Sequence, residues 1–146
     1  MSKVLEIGIH KNRGDKAHKV EFVEAIKGKG LLNNRHFREK LGEIYQITLI
    51  EIENINYYNK ISGTQIPAID FRRNIITTGI KLNELVHKKF YIGEVKVKAH
   101  NLCRPCKYLQ ESLKQNNIIK EFLHKGGLRC EILSSGKIYI GDQIKC

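Results

Sequence analysis

The sequence has few features that would divide it into parts or place it in a membrane. Only two of its 146 residues are proline, and no Pro-rich stretch, internal repeat or low-complexity segment interrupts the chain, so there is no evident linker. No apolar run approaches the roughly 20 residues that span a bilayer, and the first residues, MSKVLEIGIHKNRG, contain no apolar stretch of signal-peptide length. We therefore expect one domain over residues 1–146, located in the cytoplasm.

Acidic residues are scarce relative to basic ones. The chain has 15 Asp and Glu against 26 Lys and Arg, which gives a formal net charge of +11. This excess predicts attraction to nucleic acid, to a phosphorylated cofactor or to an acidic partner, and composition alone does not choose among them. In a reducing cytosol we expect the four cysteines to be thiols with a chemical or packing role rather than a disulfide framework.

Short alternating segments punctuated by glycine predict a mainly β fold, built as a barrel or as paired sheets. Eight strands are predicted, at residues 4–9, 19–25, 45–50, 73–78, 89–93, 94–100, 128–134 and 136–142. Residues 51–61 and 105–125 follow helical spacing, the second segment with a break at 116–117 and a stop at 126–127. The glycines of residues 26–32 predict a turn, because that segment lacks the strand, Lys-Ser/Thr and helix context of a phosphate loop.

The segment NLCRPCKYLQ (101–110) places two thiols three residues apart, between a predicted strand and a predicted helix. Unpaired N–H groups at a helix N-terminus, together with Arg104 and Lys107, favour the thiolate, which is both the nucleophile and the metal ligand. Cys106 is the better placed of the two thiols. We expect it to be more acidic and more reactive than Cys103, which would support it or act as its resolving partner.

Two general interpretations of this Cys-x-x-Cys motif are incomplete. A zinc site would need a second close pair of ligands, whereas Cys130 and Cys146 stand alone, and Cys130 lies in an apolar strand pattern typical of the core. A thioredoxin-like dithiol fits the proline before the second cysteine, but that fold has a later cis-proline and no proline follows Pro105, so a redox dithiol stays open only in a different fold.

A third interpretation comes from several motifs taken in order. GLLNNRH (30–36) is similar to a Gly-x-x-Gly-Asp-Arg-His stretch at Gly30, Arg35 and His36. Asn stands at the two positions where Gly and Asp are usual. Since Asn tolerates the left-handed conformation that glycine would adopt, we expect the turn to persist, whereas the lost carboxylate removes an acidic role at the second position.

The remaining motifs follow in the same order. RRNIITTGIKLNELVHKKFYIG (72–93) is similar throughout to the corresponding family stretch, the cysteine of CRPC comes next, and GKIYIGDQI (136–144) is similar to the closing hairpin. Together these segments resemble the MOSC domain, the family named for the C-terminal part of molybdenum cofactor sulfurase. The resemblance extends over about residues 4 to 145, and the order and spacing of the motifs carry it.

This resemblance implies a MOSC-type β-barrel with a few short helices, a site for the molybdenum cofactor, and a cysteine that ligates the metal or carries sulfur. In the amidoxime-reducing relatives, a cysteine at the end of a similar Cys-x-x-Cys motif is the molybdenum ligand, which corresponds to Cys106. A thiolate suits both soft-metal ligation and persulfide chemistry, so the residue type leaves both roles open.

The cofactor is a phosphorylated pterin, which gives the positive charge a specific use. Nine Lys or Arg residues stand against two acids between positions 72 and 107. Because arginine binds phosphate with two parallel hydrogen bonds, Arg35, Arg72 and Arg73 are the expected phosphate contacts. Asn74 and Cys103 complete the expected cofactor-binding set. His36 and His100 are more typical of hydrogen-bonded structural histidines than of catalysts.

The function expected from these observations is cofactor handling or sulfur transfer through a reactive cysteine. One alternative is a molybdenum-dependent reductase of N-hydroxylated compounds, and another is a basic nucleic-acid-binding module. The chain offers few aromatic residues for stacking and no recognised nucleic-acid motif, so nucleic acid is not an expected partner. The expected partner proteins are a cysteine desulfurase or an electron donor, since 146 residues leave no room for either activity.

Overall fold

The computed structural model of the protein describes residues 2–12, 16–35, 37–38, 42, 45–104, 107–122 and 124–146. Most of the regular structure in these ranges is β. The strands are β1 (Lys3–Ile9), β2 (His18–Val20), β3 (Phe22–Ile26), β4 (Gly30–Leu31), β5 (Ile47–Glu51), β6 (Ile75–Thr78), β7 (Lys89–Ile92), β8 (Val95–Leu102), β9 (Leu128–Ile132), β10 (Gly136–Tyr139) and β11 (Ile144–Lys145).

Each of the eight predicted strand segments overlaps an observed strand, and 19–25 overlaps both β2 and β3, which are separated by one residue. The two-residue strands β4 and β11 lie outside the prediction, because alternation cannot be read over two residues. The predicted turn at 26–32 is confirmed between β3 and β4, where Gly28 has a φ of 74° and Gly30 a φ of 103°.

Helices are short and lie outside the sheet. They are α1 (Ile52–Ser62), α2 (Lys107–Ser112) and α3 (Ile118–Glu121), and two 3₁₀ turns occur at Ala68–Phe71 and Leu82–Leu85. The break expected at 116–117 is confirmed, since it separates α2 from α3. Within the described ranges, no helix is both long enough and apolar enough to span a membrane.

The main sheet has eight strands in the order β11-β7-β8-β9-β5-β6-β1-β2, and a second sheet has the order β10-β3-β4. Neighbouring strands are antiparallel except β5 and β6, which are parallel and connected through α1 and the 3₁₀ turn Ala68–Phe71. The main sheet curls so that the region of β11, at one end, meets β1 near the other. Ile144 N–H donates to Ser2 O at 3.0 Å, and Val4 N–H donates to Asp142 O at 2.8 Å.

Alternation along the strands sorts side chains between the interior and the surface. In β8, Val95, Val97 and Ala99 are buried and the lysines between them are partly exposed. Cys130 of β9 is fully buried, which confirms its predicted place in the core. A second apolar cluster under the helices includes Tyr58. These observations confirm a mainly β, barrel-like fold.

Candidate functional site

An open cleft lies where the C-terminal end of β1 meets the 3₁₀ turn Ala68–Phe71 and the end of α2. It encloses about 380 Å³ of space continuous with solvent. The residues that line it are His10, Lys16, Ala17, Asp70, Arg72, Ser112 and Leu113. Two permanent cations and a histidine face one carboxylate, so the lining favours an anionic ligand.

Arg72 reaches this cleft because of the turn that precedes it. Ala68, Ile69 and Phe71 are buried and anchor the turn, whereas Asp70 is exposed. Arg72 ends the turn with a left-handed backbone, at φ 67° and ψ 26°, and its N–H donates to Ile69 O at 3.1 Å. The buried apolar residues therefore fix the position of a cationic residue at the cleft.

His10 is a cleft residue that sequence reasoning missed. It follows β1 directly and is 5% exposed. Its N–H donates to Asn34 Oδ1 at 2.9 Å, and its carbonyl accepts from Arg35 N–H at 2.6 Å. Asn34 thus replaces the usual carboxylate by an amide that holds His10 in place.

The turn before Arg35 has the predicted backbone. Asn33 has a φ of 70°, which confirms that it adopts the left-handed conformation expected where the family has glycine. The backbone of Arg35 lies against His10 and so beside the cleft. His36, the next residue of the motif, lies outside the described residues.

A second group of contacts surrounds the first thiol. Cys103 follows β8, is 2% exposed, and donates its N–H to Gly127 O at 2.7 Å. Arg73 Nε donates to Gly126 O at 2.9 Å, and its Nη1 lies 3.4 Å from Phe71 O. Arg73 therefore holds the Gly126–Gly127 backbone, which is hydrogen-bonded to Cys103, the first cysteine of the Cys-x-x-Cys motif.

Close backbone packing explains the glycines at this point. An ideal Cβ built on Gly126 would lie 2.6 Å from the carbonyl oxygen of Cys103, and one on Gly127 would overlap the carbonyl oxygen of Leu49. Only residues without a Cβ fit here. The pair at 126–127, predicted as a helix stop, thus also brings the chain after α3 against the end of β8.

Cys106, the predicted metal ligand or sulfur carrier, lies outside the described residues, as does Pro105. Its neighbours are placed as the sequence predicted, because Cys103 follows a strand and α2 begins at Lys107. However, α2 has only six residues, so the helical segment before the predicted break at 116–117 is shorter than expected.

The Cys130 thiol lies in the core close to Cys103. Burial raises the pKa of the Cys130 thiol, and the nearby Cys103 raises it further. Cys130 therefore stays a neutral thiol at physiological pH, which fits its place in the core and not a nucleophilic role.

Asn74 is a buried connector of three strands. Its Oδ1 accepts from Thr48 N at 3.0 Å and from Thr48 Oγ1 at 3.1 Å, and its Nδ2 donates to Gly8 O at 3.2 Å. These bonds join the starts of β5 and β6 to β1. The side chain thus fixes the backbone between Arg73 and β6.

The structure brings the predicted residues together only in part. Arg72 lines the cleft and Arg35 adjoins it through His10, while Arg73, Asn74 and Cys103 form the backbone framework beside it. Among the described residues, no group of three His, Cys, Asp or Glu is placed to hold a metal ion. The cofactor and metal roles of these residues stay predictions.

Comparison with known proteins agrees with this architecture. The family model of the MOSC domain matches residues 36–145. No curated protein matches the sequence. YuaD from Bacillus subtilis is 18% identical, with a TM-score of 0.82, over 99% of this chain and 94% of that chain.

Two further solved structures have the same fold. YiiM from Geobacillus stearothermophilus is 18% identical, with a TM-score of 0.81, over 99% of this chain and 74% of that one. YiiM from Escherichia coli is 16% identical, with a TM-score of 0.75, over 99% of this chain and 69% of that one. At these identities the likeness shows the fold alone.

Proposed function

This chain belongs to the MOSC domain family, and we propose that it binds the molybdenum cofactor or its precursor and acts in cofactor handling or sulfur transfer through Cys106. The family is associated with proteins of the molybdenum cofactor. The observation that carries the proposal is the cationic cleft lined by His10, Lys16 and Arg72, which also includes Ser112 and Leu113 from the end of α2, the helix that follows Cys106.

The cleft suits the chemical groups of a phosphorylated pterin. Arg72 offers a planar fork of donors for phosphate oxygens, and Lys16 adds a second positive charge. Asp70 offers an acceptor for the N–H groups of a pterin ring. Arg73 and Asn74 contribute indirectly in this proposal, because their side chains hold the backbone that positions Arg72.

Cys106 supplies the sulfur chemistry in this proposal. Its thiolate attacks the outer sulfur of a persulfide on a cysteine desulfurase, so a new S–S bond forms on Cys106 and the donor's S–S bond breaks. The donor leaves as a thiolate, and Cys106 carries the sulfur as a persulfide. Cys103, buried three residues earlier, is the resolving or supporting thiol. The molybdenum cofactor, when bound, supplies the metal to which sulfur is delivered or which Cys106 ligates.

The test is cofactor and sulfur loading of protein purified from a molybdenum-replete host. We expect pterin fluorescence and molybdenum in the wild-type protein. Cys106→Ser should lose persulfide formation or metal ligation, because an alcohol is neither a sulfur carrier nor a soft ligand. Cys103→Ser should keep most of its loading, and alkylation rates against pH should give Cys106 the lower thiol pKa.

Different outcomes point to different functions. Full loading in Cys106→Ser would remove that residue from the site. Reduction of an N-hydroxylated compound, once an electron donor is supplied, would instead assign the molybdenum-dependent reductase. Wild-type protein free of both pterin and molybdenum, and unable to take up persulfide sulfur, would contradict the proposal.

A further inference from the structure

The outer face of the main sheet carries a group of lysines around one exposed aromatic ring. None of these residues has a role in the function proposed above. Strand register places Tyr91 of β7 between Lys145 of β11 and Lys96 of β8. Two residues further along, Lys89 of β7 lies opposite Lys98 of β8. We call these five residues, Lys89, Tyr91, Lys96, Lys98 and Lys145, the β7–β8 face.

The geometry of the β7–β8 face follows from the sheet itself. Neighbouring strands lie about 4.8 Å apart and alternate residues about 6.7 Å apart along a strand, so lysine backbones adjoin Tyr91 on both neighbouring strands and along its own. Tyr91 is 43% exposed, and Lys96 Nζ lies 5.8 Å from its ring centroid. The ring is therefore partly open to a ligand, with one ammonium group near it and the other three lysines on the same or neighbouring strands.

Positive charge exceeds negative charge on this face. Like charges directly opposite on neighbouring strands are unfavourable, and Lys89 and Lys98 form such a pair. Within the described part of the chain, none of the four lysines forms an ion pair with a carboxylate. Glu131, the cross-strand neighbour of Lys98 on β9, instead bonds His100 at 2.9 Å. The face is complementary to a polyanion.

We infer that the β7–β8 face binds single-stranded nucleic acid, with the lysines contacting phosphates and Tyr91 stacking on an unpaired base. A cationic surface with an exposed ring is the combination by which single strands are bound without sequence preference. A duplex offers phosphates to the lysines but no unstacked base to Tyr91, so we expect it to bind more weakly than a single strand. The sequence did not indicate this site, because neither the exposure of Tyr91 nor its lysine neighbours on three strands are visible before folding.

The experiment measures fluorescence anisotropy of a labelled oligothymidylate of about 12 nucleotides, and of a duplex of equal length, between about 50 and 200 mM salt. Tyr91→Ala should weaken single-strand binding about tenfold and leave the salt dependence unchanged. Tyr91→Phe keeps the ring and should restore the affinity. Lys96→Gln with Lys98→Gln should reduce the slope of log affinity against log salt by about 1.4, since each phosphate contact on a single strand contributes about 0.7.

Matched variants separate this face from net charge. Lys60→Gln with Lys120→Gln removes the same charge from exposed helix positions, and Tyr57→Ala removes an exposed ring that has Lys125 Nζ 4.8 Å from its centroid. Both controls should bind as the wild-type protein does. Equal losses in the controls, or no binding by the wild-type protein at the lowest salt, would overturn the inference. The inference would also be overturned if Tyr91→Ala bound with unchanged affinity and polyglutamate displaced the labelled strand as effectively as an unlabelled oligonucleotide. That result would indicate an acidic protein as the partner.

Discussion

Arg72 combines an unfavourable backbone with a useful position. A left-handed conformation costs a residue with a Cβ about 1 kcal/mol, and glycine avoids that cost. We expect Arg72→Gly to be more stable than Arg72→Ala by about that amount, while both variants lose affinity for the phosphorylated pterin. Urea unfolding together with pterin fluorescence measures the two effects separately. Unchanged pterin affinity in both variants would remove Arg72 from the phosphate site.

Arg73 differs from its neighbour because its guanidinium already bonds backbone carbonyl groups. Hydrogen bonds from charged groups contribute about 1–3 kcal/mol, so Arg73→Ala should lower the free energy of unfolding by an amount in that range. We therefore expect the double substitution of Arg72 and Arg73 to affect both pterin binding and stability. A loss of binding without loss of stability in Arg73→Ala would show direct contact with the cofactor instead.

At the scale of elements, Gly127 and Gly141 allow the cost of a left-handed backbone to be distinguished from the cost of a steric overlap, because a Cβ would clash only at Gly127. Their φ values are 103° and 93°, but a Cβ on Gly141 meets nothing within 4 Å, whereas one on Gly127 overlaps the Leu49 carbonyl. We expect Gly141→Ala to cost about 1 kcal/mol from the left-handed backbone alone. Gly127→Ala should cost more, because β5 or the end of β8 has to move. Equal losses in urea unfolding would contradict the close approach at Gly127.

The sequence predicted elements well where a period could be counted. Val95, Val97 and Ala99 alternate with polar residues, and the structure places them inside the barrel. The break within 105–125 was predicted from Asn116 and Asn117, but the helical turns before it proved shorter than expected. The two 3₁₀ turns have no period to detect, so they lay outside the prediction.

The candidate site was predicted less completely, for a physical reason. Arg72 and Arg73 are adjacent and chemically alike, and only the turn at Ala68–Phe71 directs one toward the cleft and the other toward Gly126. His10 and Lys16 join the cleft through contacts between distant segments, which no local pattern indicates. Charge and residue type predicted the kind of ligand, while tertiary packing decided which residues line the cleft.

For the molecule as a whole, two carboxylates give the folding stability opposite dependences on pH. Burial raises the pKa of Glu51 above its ordinary value of 4.5, despite a hydrogen bond from Leu82 N–H. Burial also acts on Glu53, but hydrogen bonds from Gly79 N–H, its own N–H and the Thr78 hydroxyl outweigh that effect and lower its pKa. The stability from Glu51 is therefore full below pH 4.5 and is lost as the pH rises through its folded pKa.

Substitution of each residue by glutamine tests the opposite pKa shifts of Glu51 and Glu53. Glu51→Gln removes a group that is costly to ionise, so the variant should gain stability relative to the wild-type protein as the pH rises above 4.5. Glu53→Gln should lose stability relative to the wild-type protein as the pH rises toward 4.5, because the native protein favours the ionised form of that group, and the difference should stay constant above that pH. Unfolding free energies measured from about pH 2 to 7 check the pair, and curves that run parallel to that of the wild-type protein at every pH would contradict it.

The hydrogen bond from Ile144 N–H to Ser2 O places the two ends of the described chain beside each other, next to β1 and β11. The same barrel should therefore form from a chain in which the strands follow one another in a different order. A short Gly-Ser linker joins the ends in the design. A new opening at Gly28, in a partly exposed turn with no close neighbour for a Cβ, should give a circular permutant that folds and keeps the cleft. An opening between Gly126 and Gly127 should fail, since their carbonyl groups hold Arg73 and Cys103. Thermal unfolding of the two permutants would therefore show which connections of the chain the barrel requires and which it does not.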